Sequence, residues 1–210
     1  MFVAAAAWAQ QPPASGASGA GGSASLPPGL YARINTSVGT IVARLYDQEA
    51  PNTVANFIGL ARGTRPWSDP KTHKLVLRPL YQNLIFHRVI PNFMIQTGDP
   101  TATGSHDCGF TLKDEIVPTL KFDRPGRLAM ANTGTKNSGG CQWFITEDLF
   151  EEGNGKYTIF GQVMEGQELV AKIAHVIRDE NDKPRIPTKL IDVTFMRVVL
   201  KSPEPPADPK

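Results

Sequence analysis

Cysteine, charge imbalance and long apolar runs are all scarce in this chain, and each scarcity excludes something. Two cysteines, Cys108 and Cys141, among 210 residues cannot build a disulfide framework, although they can form one bridge. Twenty-two Lys and Arg against 20 Asp and Glu leave a formal net charge of +2. With no basic stripe beside it, that charge gives no nucleic-acid footprint, and no nucleic-acid partner is expected. No apolar run approaches the roughly 18 residues that a membrane span requires. His106 stands near Cys108, but the ligand set is incomplete, so no metal is expected. The remaining composition, 40% hydrophobic and 20% charged, is that of one globular domain with tails.

The tails are legible by composition. Residues 1–9 resemble the apolar core of an export signal, and Ala7-Trp8-Ala9 fits a small-x-small cleavage site. The positively charged stretch that should precede them is missing, which a start assigned too far downstream would explain. An Ala-rich tail is the alternative. Residues 10–29 are Pro, Ala, Gly and Ser without periodicity, a flexible linker that cannot bury a core. The folded domain is expected over residues 30–201, with 202–210, three prolines and mixed charge, as a second tail. The expected location is periplasmic or secreted, otherwise cytoplasmic.

Within the domain, Tyr31–Thr36 and Thr40–Tyr46 are rich in strand formers around a turn at Ser37-Val38-Gly39. Pro51 opens a helix in which Val54, Phe57, Ile58 and Ala61 form one apolar stripe, and Gly63 stops it. Residues 64–80 are a long polar connection with a short hairpin expected around Lys74–Leu77. Residues 126–131, 142–146, 157–163 and 189–200 read as further strands. A second helix after Gly166 aligns Leu169, Ile173 and Val176. Many short strands and two isolated helices predict a mainly β fold, closed into an antiparallel barrel.

The most informative stretch runs from Phe86 to Asp99. Leu84, Ile85, Phe86, Val89 and Ile90 read as a largely buried strand, yet Arg88 is set into it, with Pro91 and Asn92 turning the chain beyond. Phe93, Met94 and Ile95 resume the apolar run around Gln96. A cation between two apolar strands is costly to bury unpaired. Either it snorkels to a rim, or it faces a site that wants a fixed positive charge.

The run Phe86-His87-Arg88-Val89-Ile90-Pro91-Asn92-Phe93-Met94-Ile95-Gln96-Thr97-Gly98-Asp99-Pro100 resembles the signature of the cyclophilins, peptidyl-prolyl cis-trans isomerases. A second block, Met130–Gly134 followed by Gly139–Ile145, resembles that family's second signature, and the likeness extends from about Tyr31 to Leu200. The resemblance implies a closed eight-stranded antiparallel barrel capped by two helices, with its site on the outer face. It implies a monomer, without cofactor, that acts on proline-containing unfolded or partly folded proteins.

It also implies roles. Arg88, Phe93 and Gln96 would be catalytic; Met94 and Phe144 would complete, with Phe93, a pocket for the proline ring. Gln142 would bond substrate backbone, and Ala131 and Asn132 would pair an extended peptide. Tyr157 stands where relatives carry a pocket histidine. His87 is counted at the site by the family, but strand alternation turns it away from Arg88, so it reads as structural support. Cys108 and Cys141 would lie in adjoining loops beside the pocket for the residue before proline, free or bridged. Glu152-Gly153 replaces a Trp-Leu pair, for which Leu149 or Phe150 would have to compensate, so weak cyclosporin binding is expected. Ala102 replaces a common glycine, a slight stiffening of its loop. An active isomerase is the leading reading. A proline-binding module with little turnover is the second, and an interaction protein using residues 64–80 the third.

Overall fold

The computed structural model describes residues 26–200. The expected signal segment, most of the linker and the expected tail at 202–210 lie outside them. Eleven strands follow in chain order. They are β1 (Gly29–Thr36), β2 (Gly39–Leu45), β3 (Trp67–Ser68), β4 (Leu75–Val76), β5 (Leu84–Ile85) and β6 (Arg88–Ile90). Then come β7 (Met94–Thr97), β8 (Arg127–Met130), β9 (Trp143–Thr146), β10 (Ile159–Glu165) and β11 (Lys189–Val198). Two helices, α1 (Pro51–Arg62) and α2 (Gln167–Ala174), interrupt them.

Nine strands form one antiparallel sheet in the order β5-β11-β1-β2-β10-β8-β9-β7-β6, and β3 pairs β4 as the hairpin expected inside residues 64–80. The mainly β reading with two helices holds, but the closed eight-stranded barrel does not. The ladder has two end strands, β5 and β6, that do not pair with each other. The cause lies in one short segment. Leu84 and Ile85 pair with β11, whereas Arg88, Val89 and Ile90 pair with β7, so the chain changes partner across Phe86-His87. Three residue steps separate Ile85 from Arg88, at most about 11 Å of chain. The two ends of the sheet are therefore held together covalently, and the sheet must curl.

The interior of that curl holds the main core. Val54, Phe57 and Leu60 of α1 are buried in it, and the Phe57 ring meets Tyr81, Trp143 and Phe160 at centroid distances of 5.3, 5.3 and 5.1 Å. Proline suits the first helical position because its missing N–H has no intrahelical partner there. The Glu115 carboxylate takes the next two N–H groups, of Asn52 at 3.1 Å and Thr53 at 2.8 Å, at the end where a negative charge is favoured. Gly63 closes α1 in the left-handed conformation, φ 74°. Helix α2 ends at Ala174, so Leu169 and Ile173 lie on it while Val176 falls beyond.

Ala102 also sits in the left-handed region, φ 56°. Its Cβ costs about 1–2 kcal/mol in that conformation, so the residue strains its loop as well as narrowing its freedom.

Candidate active site

The sheet carries apolar side chains on both faces, and its two faces do different things. The inward residues Val89, Ile95, Trp143, Ile145, Leu128 and Met130 belong to the main core. The alternate residues Met94, Ala129, Phe144 and Ile159 belong to a separate outer cluster with Phe122. Ile90, Phe93, Ala131, Phe150 and Tyr157 pack around that second cluster from partly open positions. A second apolar cluster with partly open members on the outside of a sheet is a place where an apolar ligand group can be met.

Arg88 reaches this outer face through an interruption of strand alternation. Leu84 and Phe86 point into the core, and strict period two would send Arg88 after them. Instead Val89 is the next inward residue, three positions on. The irregular pair Phe86-His87 between β5 and β6 shifts the parity by one, as bulges do beside functional sites. Arg88 then pairs with Gln96, Gln96 with Phe144, and Phe144 with Ala129, one row of side chains across four strands. Two strand spacings put the Arg88 and Phe144 Cα atoms about 10 Å apart. The Arg88 side chain is 43% exposed, its Nε lies 3.5 Å from Asp182 Oδ2, and among the described residues neither terminal nitrogen has a hydrogen-bond partner.

The wall beyond Arg88 is aromatic. Met94 and Phe144 are nearly buried, at 2% and 4% exposure, and form its floor. Phe144 stacks against Phe122 at 6.0 Å and meets Tyr157 edge-on at 5.4 Å. Phe93 follows a tight turn in which Asn92 is left-handed, φ 59°. That turn is held by the Asn92 N–H donating to Glu147 Oε2 at 2.7 Å and the Glu147 N–H donating to the Phe93 carbonyl at 2.8 Å. Of the two candidates to compensate for the Trp-Leu pair, Phe150 packs into the aromatic wall and Leu149 remains 52% exposed. The Phe150 ring meets Phe93 at 4.7 Å, Phe122 at 5.3 Å and Tyr157 at 5.8 Å. Gly153 is what lets it in, since a methyl group there would collide with the Phe150 ring.

Polar groups line the opposite side. Gln96 Nε2 donates to Gln142 Oε1 at 2.9 Å, and Gln142 Nε2 donates to the Gly104 carbonyl at 3.0 Å. The two amides therefore fix one another beside Arg88. Asn132 spends its side chain locally, its Nδ2 donating to the Lys156 carbonyl at 2.9 Å and its Oδ1 accepting the Gly134 N–H at 3.0 Å. Its backbone, one residue past the Ala131 N–H bond to the Gln142 carbonyl, makes no ladder bond among the described residues. Gln96, Ala131, Asn132 and Gln142 border a cavity of about 310 Å³ that Cys108 and Cys141 also line. Those two cysteines are bonded through sulfur, with their Cα atoms 6.1 Å apart, and the bond ties residues 104–111 to residues 138–142.

His87 does not share the Arg88 surface. It is buried against Gly104, and neither ring nitrogen meets a partner in hydrogen-bonding geometry among the described residues. Asp182, Phe122, Phe150, Ala129 and Ile159 join the site without a signal in the sequence that pointed to them, except that Phe150 was one of two alternatives for the missing pair. Among the described residues no group of three or more His, Cys, Asp or Glu could hold a metal ion.

Comparison with known proteins decides the family. The family model for cyclophilin type peptidyl-prolyl cis-trans isomerases/CLD matches residues 31–195. The chain belongs to the cyclophilins. Peptidyl-prolyl cis-trans isomerase A of Mycobacterium tuberculosis is 42% identical over 166 residues, 78% of this chain and 91% of that protein. Peptidyl-prolyl cis-trans isomerase B of Streptomyces anulatus is 40% identical over 173 residues, 82% of this chain and 97% of that protein. A Cryptosporidium parvum cyclophilin type isomerase, solved in the presence of the dipeptide Ala-Pro, superposes with a TM-score of 0.69 at 32% identity, covering 80% of this chain and 99% of that one. This cyclophilin is a peptidyl-prolyl cis-trans isomerase.

The buried histidine gives the cyclophilin a pH dependence of known sign. Burial holds the His87 imidazole below its ordinary value, with the Asp99 carboxylate pulling the other way. Burial would raise the Asp99 carboxyl, but hydrogen bonds from the Thr101 hydroxyl, the Thr101 N–H and the Gly104 N–H outweigh it and leave it lowered. A depressed imidazole favours the neutral form, so its contribution is complete above the unfolded value of about 6.5 and is lost as pH falls toward the folded one. The lowered Asp99 acts in the same direction, but only below about pH 4. The urea midpoint should therefore fall between pH 7 and pH 5, and His87→Gln, which cannot charge, should flatten that slope. An equal slope in the variant would refute the assignment to His87.

Proposed function

We propose that Arg88 is the group that lowers the barrier to rotation about X–Pro bonds in extended protein segments. The observation that carries this reading is the row Arg88, Gln96, Phe144 on the outer face, a cation and an amide beside an apolar floor. An X–Pro bond prefers trans by only about 0.5–1 kcal/mol, but its isomers are separated by about 18–20 kcal/mol of lost amide resonance. At the twisted geometry the lone pair returns to the proline nitrogen. A guanidinium is permanently charged and carries planar donors, so it binds that state more strongly than the planar amide. Interaction made only at the transition state is what accelerates a reaction. Phe93, Met94 and Phe144 would hold the proline ring, with Tyr157 at its edge. Gln96 and Gln142 would receive the substrate backbone, and Ala131 and Asn132 would pair it as an added strand.

In a protease-coupled assay on a proline peptide, Arg88→Ala should lose about 10²–10³-fold in kcat/KM, the worth of one charged donor in a partly desolvated site. Peptide binding with no rate enhancement in the native protein would favour instead a gripping module.

The pocket wall sets ligand preference. Phe150 packs inward against Phe93 and Glu152 stays exposed, so the rim at residue 152 offers no aromatic surface for a large cyclic peptide to cover. Cyclosporin should bind more weakly than it does to a cyclophilin carrying the tryptophan, and low-nanomolar affinity in a calorimetric titration would contradict this.

The clients we propose are exported proteins, in which X–Pro isomerisation is a slow folding step. Two features support a periplasmic or secreted location, the signal-like start and the paired cysteines, since disulfides persist in oxidising compartments. Mass spectrometry of the native protein should find residues 1–9 absent and Cys108 alkylated only after reduction. Two alkylatable thiols on a chain that retains those residues would place it in the cytoplasm. No cofactor has a part in this scheme, and the proposed working unit is the monomer.

A further inference from the structure

We propose that Asp182 is a positioning residue for Arg88, setting the roll of the guanidinium so that its terminal nitrogens face the groove. The inference rests on the reading of Arg88 given above. Asp182 comes from a turn 94 residues further along the chain, and it meets β6 in two ways. Its backbone carbonyl accepts the Val89 N–H at 2.9 Å, covering part of the free edge of β6. Its carboxylate bridges two arginines, Oδ2 lying 3.5 Å from Arg88 Nε and Oδ1 accepting from Arg178 Nε at 3.2 Å.

The turn that presents this carboxylate is built to hold one shape. The Asp179 carboxylate accepts the N–H groups of Asn181 at 2.9 Å and Lys183 at 3.0 Å, and the Asp179 carbonyl accepts the Asp182 N–H at 3.1 Å. Arg178 and Pro184 form an antiparallel bridge across its base. Asp182 itself is left-handed, φ 60°, a conformation that asparagine and aspartate tolerate better than other side-chain-bearing residues.

The consequence for Arg88 is directional. A guanidinium is a flat fork: Nε–H shares one edge with one terminal N–H, and the end edge carries N–H groups from both terminal nitrogens. Engaging the Nε edge on the Asp182 side leaves the end edge for the side where Gln96 and Phe144 stand. Both partners are solvent-accessible, at 43% and 29%, so the pair adds little to stability. Its value is orientational: a flexible four-torsion side chain is held near the geometry in which it can donate to a twisting amide.

Asp182→Asn tests this, because asparagine keeps the shape, the left-handed preference and the carbonyl that Val89 uses, and removes the charge. We expect kcat to fall about tenfold with KM within about twofold and Tm within about 2 °C of the native protein. In ¹⁵N spectra the Arg88 Nε–H should exchange faster with solvent and show a lower order parameter. A native kcat with an unchanged Arg88 Nε–H signal, in a protein whose Arg88→Ala variant is inactive, overturns the role of Asp182 and leaves that of Arg88 standing. A kcat loss matched by a fall in Tm also overturns it, since a merely structural residue gives that result. Full activity in Arg88→Ala overturns both.

Discussion

The architecture depends on one irregular pair of residues. Phe86-His87 joins a strand half bonded to β11 to a strand half bonded to β7, so the two ends of the nine-stranded ladder are neighbours along the chain. The same pair shifts the side-chain parity by one. Without that shift Arg88 would follow Leu84 and Phe86 into the core, where an unpaired cation would cost several kcal/mol. With it, the inward place passes to Val89 and the cation emerges outside. Curling of the sheet and exposure of the charge are thus consequences of a single break in alternation.

That break lets one sheet serve two apolar clusters. The inner one takes Val89, Ile95, Trp143 and Ile145 and is closed by Phe57 of α1, so the strands that carry the site are backed by close-packed rings. Each fully buried side chain of this size contributes roughly 1.5–3 kcal/mol, ample to hold four short strands rigid. The outer cluster uses the alternate residues of the same strands, Met94, Ala129 and Phe144. Their positions are therefore fixed from behind by the inner core as well as by packing among themselves.

Much of this was legible in the sequence because period two and the turn residues act locally. Pro51 and Gly63 bound α1, Ser37-Val38 turns the first hairpin, and the apolar runs mark most strands. The resemblance in residues 86–100 and 130–145 carried the family and thereby the activity. What local pattern could not carry was pairing. The reading of residues 84–90 as one strand hid the change of partner, since Phe86 and Val89 are both inward at a spacing of three, which no unbroken strand allows. That spacing was present in the sequence as two apolar residues around His87-Arg88. Asp182 left no such trace, because its relation to Arg88 exists only through the path of the chain. Phe150 was legible as a candidate but not as the choice, since nothing in Leu149-Phe150 says which side chain turns inward; the collision a Gly153 methyl would make with the Phe150 ring is a fact of packing.

Fixed orientation, rather than altered reactivity, is what the polar side of the site provides. Rotation about an amide transfers no proton and breaks no bond, so a catalyst gains nothing from a nucleophile or a tuned acid. It gains from donors already aimed at where the lone pair will appear. Each polar side chain here has a polar neighbour: Gln142 the Gly104 carbonyl, Gln96 the Gln142 amide oxygen, and Arg88 the Asp182 carboxylate at 3.5 Å. The Asp99 carboxylate in turn fixes the loop that presents Gly104, through the N–H groups of Thr101, Thr103 and Gly104. Since about 1.4 kcal/mol is worth tenfold in rate, a side chain left free to wander among rotamers would forfeit much of what its charge could contribute. The cost of such a site therefore lies in ordering its donors, and part of it falls on residues such as Asp99 and Asp182, which carry no donor of their own toward the row of Arg88, Gln96 and Phe144.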